Sequence, residues 1–229
     1  GGVLPSDALF AVWGGANDVG DALLGADPLA RIGTAVAALD GILRDIAARG
    51  GRNFLVPNLG DLGLAPVFAS VSSGATALTE AFNTALSLTL DQLVFDEPEL
   101  NLITLDVFAL SQDVHFNPGD YGLSNVTDPC LSFGVSDPVN AVCPNPDEYL
   151  FWDALHFTTA AHTVVADAAY DAVPLPAPRD ATSASRAGSK RHGLVQATSC
   201  RPPSPRVEGS KSLRRAVAYS VGTASTRMV

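Results

Sequence analysis

The sequence predicts an α/β protein whose parallel sheet is covered by helices on both faces. Short apolar runs at residues 8–13, 54–56 and 100–105 are typical of buried strands. Between them, residues 28–46 and 75–93 place apolar side chains three and four positions apart, which is the pattern of amphipathic helices. Because a helix separates each pair of strands, the strands are expected to run parallel.

The first long helix has clear start and stop signals. Asp27 can cap its N-terminus, Pro28 suits its first position, and Gly50-Gly51 ends it. Apolar side chains recur along it three and four positions apart, at Leu29, Ile32, Val36, Leu39, Leu43 and Ile46.

The C-terminal part of the folded region is predicted as helix, loop and helix. A short helix is expected at residues 107–114 and a long loop at 116–148. Thr158 or Thr159 is expected to cap a last helix that ends near Tyr170. A loop of that length inside a compact domain is usually functional or pinned.

Two cysteines can pin this loop. Cys130 and Cys143 are 13 residues apart in a stretch rich in Pro, Asp and Asn, and a loop this short closes easily into a disulfide. Cys200 is expected to stay unpaired. A disulfide indicates an oxidising compartment, so we expect an extracellular or bacterial cell-envelope protein, although the chain carries no signal peptide.

Charge divides the chain into two segments. Residues 1–173 hold four basic and 22 acidic side chains, and residues 174–229 hold ten basic and two acidic ones. We expect one folded domain over 1–173 and a disordered basic tail over 174–229. The acidic body contains no lysine, which argues against nucleic acid or an anionic membrane surface as its partner.

The tail has more than one interpretation. Residues 173–177 resemble the start of a bacterial sorting signal, but no transmembrane-length apolar stretch follows. We interpret the tail as an out-of-frame translation of a lost anchor, with an ordinary basic linker as the alternative. A nucleic-acid-binding arm is disfavoured because aromatic side chains do not alternate with the basic ones.

Two short motifs 135 residues apart carry the chemistry. Asn17 and Asp18 follow Gly15 in a turn at the carboxyl end of the first strand, where open α/β sheets bind ligands. Asp153 precedes His156 by three residues, so its carboxylate can bind one imidazole nitrogen and leave the other free as a base. An amide donor and an oriented base are two of the three parts of an acyl-transfer site.

These residues resemble the GDSL, or SGNH, family of lipases and esterases. Gly15, Asn17 and Asp18 match its Gly-x-Asn-Asp block, and Asp153 and His156 match its Asp-x-x-His block. The resemblance covers residues 8–173. Further segments, at 56–66, 125–130 and 151–162, resemble bacterial secreted members.

The resemblance implies a fold and a set of roles. The fold is a flavodoxin-like three-layer α/β/α sandwich, the SGNH hydrolase fold, of which this chain would supply the last three strands. His156 would be the base, Asp153 would orient it, and Asn17 would donate to the oxyanion, so the Asn17 amide and His156 ring should lie within about 10 Å. Gly15 and Asp18 would support their loop.

The departures from the family pattern concern the nucleophile. The family's Ser lies in an N-terminal Gly-Asp-Ser block, and no such block occurs in these 229 residues. We therefore expect an N-terminally truncated ester hydrolase, inactive alone, whose missing first strand leaves an apolar sheet edge open to pairing with another chain. Phe157 also stands where the family usually has Pro.

The implied substrate is a small-molecule or lipid ester, and neither a metal nor an organic cofactor is required. Two alternatives remain open at this point. One is a non-catalytic remnant that binds a partner through its sheet edge. The other is a metal-dependent hydrolase built around His115, His156 and His162.

Overall fold

Three short parallel strands form the main sheet of the computed structural model, which describes residues 2–132 and 141–174. They are β1 (Leu9–Ala11), β2 (Asn53–Pro57) and β3 (Asn101–Leu105), in the order β1-β2-β3. Both neighbouring pairs are parallel, as predicted. Cys200 and the predicted tail from residue 175 onward lie outside the described residues, as do residues 133–140.

Five α-helices accompany the strands of the described residues. Their bounds are α1 (Ala16–Ala22), α2 (Pro28–Ala48), α3 (Ser72–Asp96), α4 (Val107–Phe116) and α5 (Thr159–Ala172). The predicted caps are present, because Asp27 accepts a hydrogen bond from the Ala30 amide and Thr158 from the Ala161 amide. None of the helices in the described part of the chain is long and apolar enough to cross a membrane.

Helices lie on both faces of the sheet, which confirms the predicted layering. Phe54 and Val56 of β2 are buried in one apolar cluster with side chains of α1, α2 and α3. Leu105 of β3 is buried in another cluster with Val165 and Ala169 of α5. Alternate strand positions face opposite sides of a sheet, so this division follows from the strand period of two.

A second set of strands lies in the stretch that the sequence predicts as a long loop. β4 (Asn125–Pro129) pairs in parallel with β7 (Tyr149–Phe151), and β5 (Leu131–Ser132) pairs antiparallel with β6 (Ala141–Val142). The loop prediction is therefore wrong for β4, β5 and β6, whereas β7 begins just after its end at Glu148. Their Pro, Asp and Asn content is poor for strands, and they pair because a separate apolar cluster packs Leu150 and Phe151 beside them.

The predicted disulfide is confirmed. Cys130 and Cys143 are bonded with their Cα atoms 4.8 Å apart, within the normal range. Cys130 is buried and follows β4, and its amide donates to the Phe151 carbonyl of β7. The disulfide therefore joins the two ends of the β5–β6 pair, and the Cys130 amide links that pair to β7, the strand that leads into the Asp153–His156 loop.

Candidate active site

Gly15 determines how the first motif is presented. Its φ of 109° is in the left-handed region, and a Cβ added there would lie 2.2 Å from the Phe82 ring of α3. A larger residue at this position would therefore strain the turn from β1 into α1 and clash with Phe82. The sequence predicts a turn here, and the structure instead places Asn17 and Asp18 in the first turn of α1.

The Asn17 amide is available to a ligand. Asn17 is exposed, and its side-chain amide makes no hydrogen bond to any residue that the structure describes. Asp18 is in a different situation, because its Oδ1 lies 3.7 Å from Arg31 Nη2 of α2, and Arg31 also pairs with Asp21. Arg31 thus links the first motif's helix to α2 at the protein surface.

The second motif forms a closed loop between β7 and α5. An antiparallel bridge joins Phe151 to Phe157, and the Trp152 amide donates to the His156 carbonyl over 2.7 Å. At the other end, the Thr158 hydroxyl caps α5 and also donates to the Tyr149 carbonyl. Backbone bonds on both sides therefore set the position of the loop.

Asp153 and His156 meet as predicted. His156 Nδ1 lies 2.8 Å from Asp153 Oδ2, and the Leu155 and His156 amides donate to Asp153 Oδ1 over 2.8 and 2.7 Å. Partial burial alone would raise the pKa of Asp153, but the amides and the imidazole outweigh it and hold that pKa below its usual value. The carboxylate is therefore ionised and fixed against Nδ1, and the exposed imidazole leaves Nε2 free.

A short 3-10 segment connects the two motifs in space. In the 3-10 helix Pro66–Val71, the Val67 amide donates a hydrogen bond to the Ala154 carbonyl over 2.8 Å. The Phe68 ring lies against α1, because a Cβ at Gly20 would be 3.5 Å from it. Phe68 also packs against the apolar cluster that holds Leu155. Sequence reasoning missed this segment, because only tertiary packing marks it.

The two other histidines of the described residues, His115 and His162, each lie beside an aromatic ring. The His162 ring of α5 meets Phe157 edge-on with centroids 6.1 Å apart, and the His115 ring meets Phe116 at 5.2 Å. Burial first, and then the charge of His156, lowers the pKa of His162. Within residues 2–132 and 141–174, no three His, Cys, Asp or Glu residues are grouped as a metal site. The geometry thus gives no support to the metal-dependent alternative.

The parallel sheet, its two helical layers and the oriented histidine are those of an α/β protein of the SGNH type. A sequence model of the family described as GDSL-like Lipase/Acylhydrolase matches residues 3–169. The chain belongs to this family.

Similar curated relatives include plant proteins. GDSL esterase/lipase At1g71691 of Arabidopsis thaliana is 31% identical over 133 residues, which is 53% of this chain and 35% of that protein. GDSL esterase/lipase At1g29660 of the same plant is 30% identical over 137 residues, 54% of this chain and 38% of that protein. The match thus spans well under half the length of these relatives. The predicted bacterial subgroup stays a prediction.

Proposed function

We propose that this chain carries the base and one oxyanion donor of a carboxylic ester hydrolase. The Asp153–His156 pair is the observation that carries the proposal, since a carboxylate on Nδ1 fixes the tautomer that a general base needs. His156 Nε2 would take the proton of a nucleophilic serine as its oxygen bonds to the ester carbonyl carbon. The same nitrogen would then give that proton to the departing alcohol.

Asp153 and Asn17 would act on the charges that form in this step. Asp153 would stabilise the imidazolium, and the Asn17 amide would donate to the oxyanion of the tetrahedral intermediate. An oxyanion donor is typically worth about 10²–10³ in rate. Water would repeat the sequence on the acyl-serine, with His156 as base again. Gly15 and Asp18 would hold the Asn17 helix in place.

The proposal requires Asn17 and His156 to serve one carbonyl, within about 10 Å of each other. Contacts of the Pro66–Val71 segment with both α1 and the Ala154 carbonyl support this arrangement. The nucleophile would come from outside these 229 residues, which contain no Gly-Asp-Ser block.

An NMR titration of the chain with ethyl acetate tests the proposal. The Asn17 side-chain amide and the His156 ring should shift along one binding curve, while 4-nitrophenyl butyrate should be hydrolysed no faster than by free imidazole. A fluorophosphonate should leave the chain unlabelled. Two different binding curves, or stoichiometric labelling of a serine such as Ser124, would contradict the proposal.

The proposed substrates are small-molecule or lipid esters, and the proposed location is extracellular or the bacterial cell envelope. The Cys130–Cys143 bond supports an oxidising compartment. Mass spectrometry of the protein isolated from its native source would show whether this bond is present there.

A partner-binding role through the sheet edge is the second candidate. Among the described residues β1 pairs only with β2, and Leu9 is 38% exposed. An unpaired strand edge can accept a strand from another chain. The Val12 amide donates to Leu55 of β2, and amides alternate sides along a strand, so the Leu9 amide faces the open edge. Light scattering should then show association that a Leu9→Pro substitution weakens, because proline removes that backbone donor.

A further inference from the structure

We propose that the Pro66–Val71 segment is the wall that holds the acyl chain of an uncharged ester. This inference rests on the proposed function and adds the substrate class. It assigns to Val67 and Val71 a role in choosing long acyl chains over short ones.

The position of the segment is the first observation. Val67 is one hydrogen bond from Ala154, the residue that follows Asp153 in the His156 loop. Phe68 lies against Gly20, one helical turn beyond Asn17 on α1. The segment therefore contacts both the helix of the oxyanion donor and the loop of the base.

The surface of the segment is the second observation. Val67 and Val71 are 50% and 49% exposed, although Phe68 beside them is turned toward the protein. No charged residue occurs between Asp61 and Glu80 in the sequence. This stretch therefore offers an ester apolar side chains with small hydroxyls, and no group that would pair with a charged substrate.

The reaction decides which half of the ester meets this wall. The alcohol leaves after the first step, whereas the acyl group stays bonded to the nucleophile until water releases it. The Pro66–Val71 wall contacts both α1, which carries Asn17, and the loop that carries His156. It would therefore stay beside the acyl group through both steps. Binding energy from an acyl chain there can therefore be used in both transition states.

Two isomeric esters provide the test, because ethyl octanoate and octyl acetate have the same composition and similar hydrophobicity. Each would be titrated into the chain, with binding followed at the Val67 and Val71 amides and at the Asn17 and His156 side chains. Ethyl octanoate should bind at least about fivefold more tightly than octyl acetate, since only its acyl chain is long enough to be buried.

Variants identify the residues responsible. Val67→Ser with Val71→Ser should weaken binding of ethyl octanoate about tenfold and leave ethyl acetate unchanged, because the acyl wall loses apolar surface. Leu88→Ser is the matched control, since Leu88 is 66% exposed on α3. It lies roughly 24 Å along that helix from Ser72. The control should bind both esters as the wild type does.

The outcomes separate the two proposals. If ethyl octanoate and octyl acetate bind equally, or the double variant binds ethyl octanoate as the wild type does, the proposed acyl wall is wrong. The proposed function is not affected by that result. If no ester shifts Asn17 and His156, the proposed function fails and the wall with it.

Discussion

At the scale of single residues, the two motifs depend on different kinds of constraint. Gly15 is required by backbone conformation and by the Phe82 ring, whereas Asp153 is required for its hydrogen bonds. The first constraint affects folding and the second affects the state of His156. Substitutions at the two positions should therefore give different measurable effects.

Gly15→Ala should destabilise the protein by about 2–4 kcal/mol, because it combines a left-handed backbone with overpacking against Phe82. Gly33→Ala is the control, since a Cβ there meets nothing within 4 Å on the exposed side of α2. It should stabilise by roughly 0.5–1 kcal/mol, because alanine favours a helix interior. Urea unfolding measures both, and equal effects would contradict the strain at Gly15.

Asp153→Asn should change the tautomer of neutral His156 without unfolding the loop. The asparagine oxygen can still accept the hydrogen bonds from the Leu155 and His156 amides. Its NH₂ group would then donate to Nδ1, so the neutral imidazole would carry its proton on Nε2. Imidazole ¹⁵N shifts report the tautomer, with His115 as an internal control. A proton that stays on Nδ1 in the variant would contradict the assigned role of Asp153.

At the scale of elements, capping signals made the starts of α2 and α5 predictable. The helix predicted from Pro28 is α2, and the helix predicted from Thr158 or Thr159 is α5, because Asp27 and Thr158 act locally. α1 was missed because its first turn looks like a glycine turn. β4 was missed because its pairing with β7 depends on tertiary packing and not on strand propensity.

Reducing the Cys130–Cys143 bond should loosen the loop of the second motif. The Leu131 amide, next to Cys130, donates to the Trp152 carbonyl, so the bond and the loop share a strand pairing. The loss of stability should be about 3 kcal/mol for a loop of this length. Hydrogen exchange at the Leu131 and His156 backbone amides should accelerate on reduction. Exchange at the Val56 amide, in the core, is the control and should change less. Unchanged exchange at both would contradict the coupling.

At the scale of the whole molecule, stability should fall as the pH drops below neutral. Burial and the charge of His156 lower the pKa of His162, so the folded protein binds this proton less readily than the unfolded chain does. The His162 contribution is therefore present above about pH 6.5 and is lost as pH falls through the lower folded pKa. Asp153 titrates below this window, because its pKa is also lowered.

His162→Gln is the variant that isolates this effect. Its free energy of unfolding should change less between pH 7.5 and pH 5 than that of the wild type, whatever its absolute stability. Urea unfolding at both pH values gives the comparison. An equal pH dependence in the two proteins would assign the effect to other groups.

The sequence predicted the layered sheet and the Asp153–His156 contact because both arise from local spacing. Asp153 contacts His156 across a turn of three residues, so their spacing in the sequence is enough to predict the contact. The parallel sheet follows from the alternation of strands and helices along the chain. The place of Val67 between the two motifs could not be predicted. It depends on the Ala154 carbonyl, 87 positions further along the chain, and on how Phe68 packs against Gly20.

The claim that Asn17 and His156 act on one ester is tested most directly by restoring a nucleophile. A family segment carrying the Gly-Asp-Ser block would be fused before Gly1, and hydrolysis of 4-nitrophenyl butyrate measured with Asn17→Ala, His156→Ala and both. Asn17→Ala should cost about 10²–10³ in kcat, and the double variant should be little worse than His156→Ala alone. A folded fusion that is inactive, or whose rate neither substitution lowers, would contradict the account.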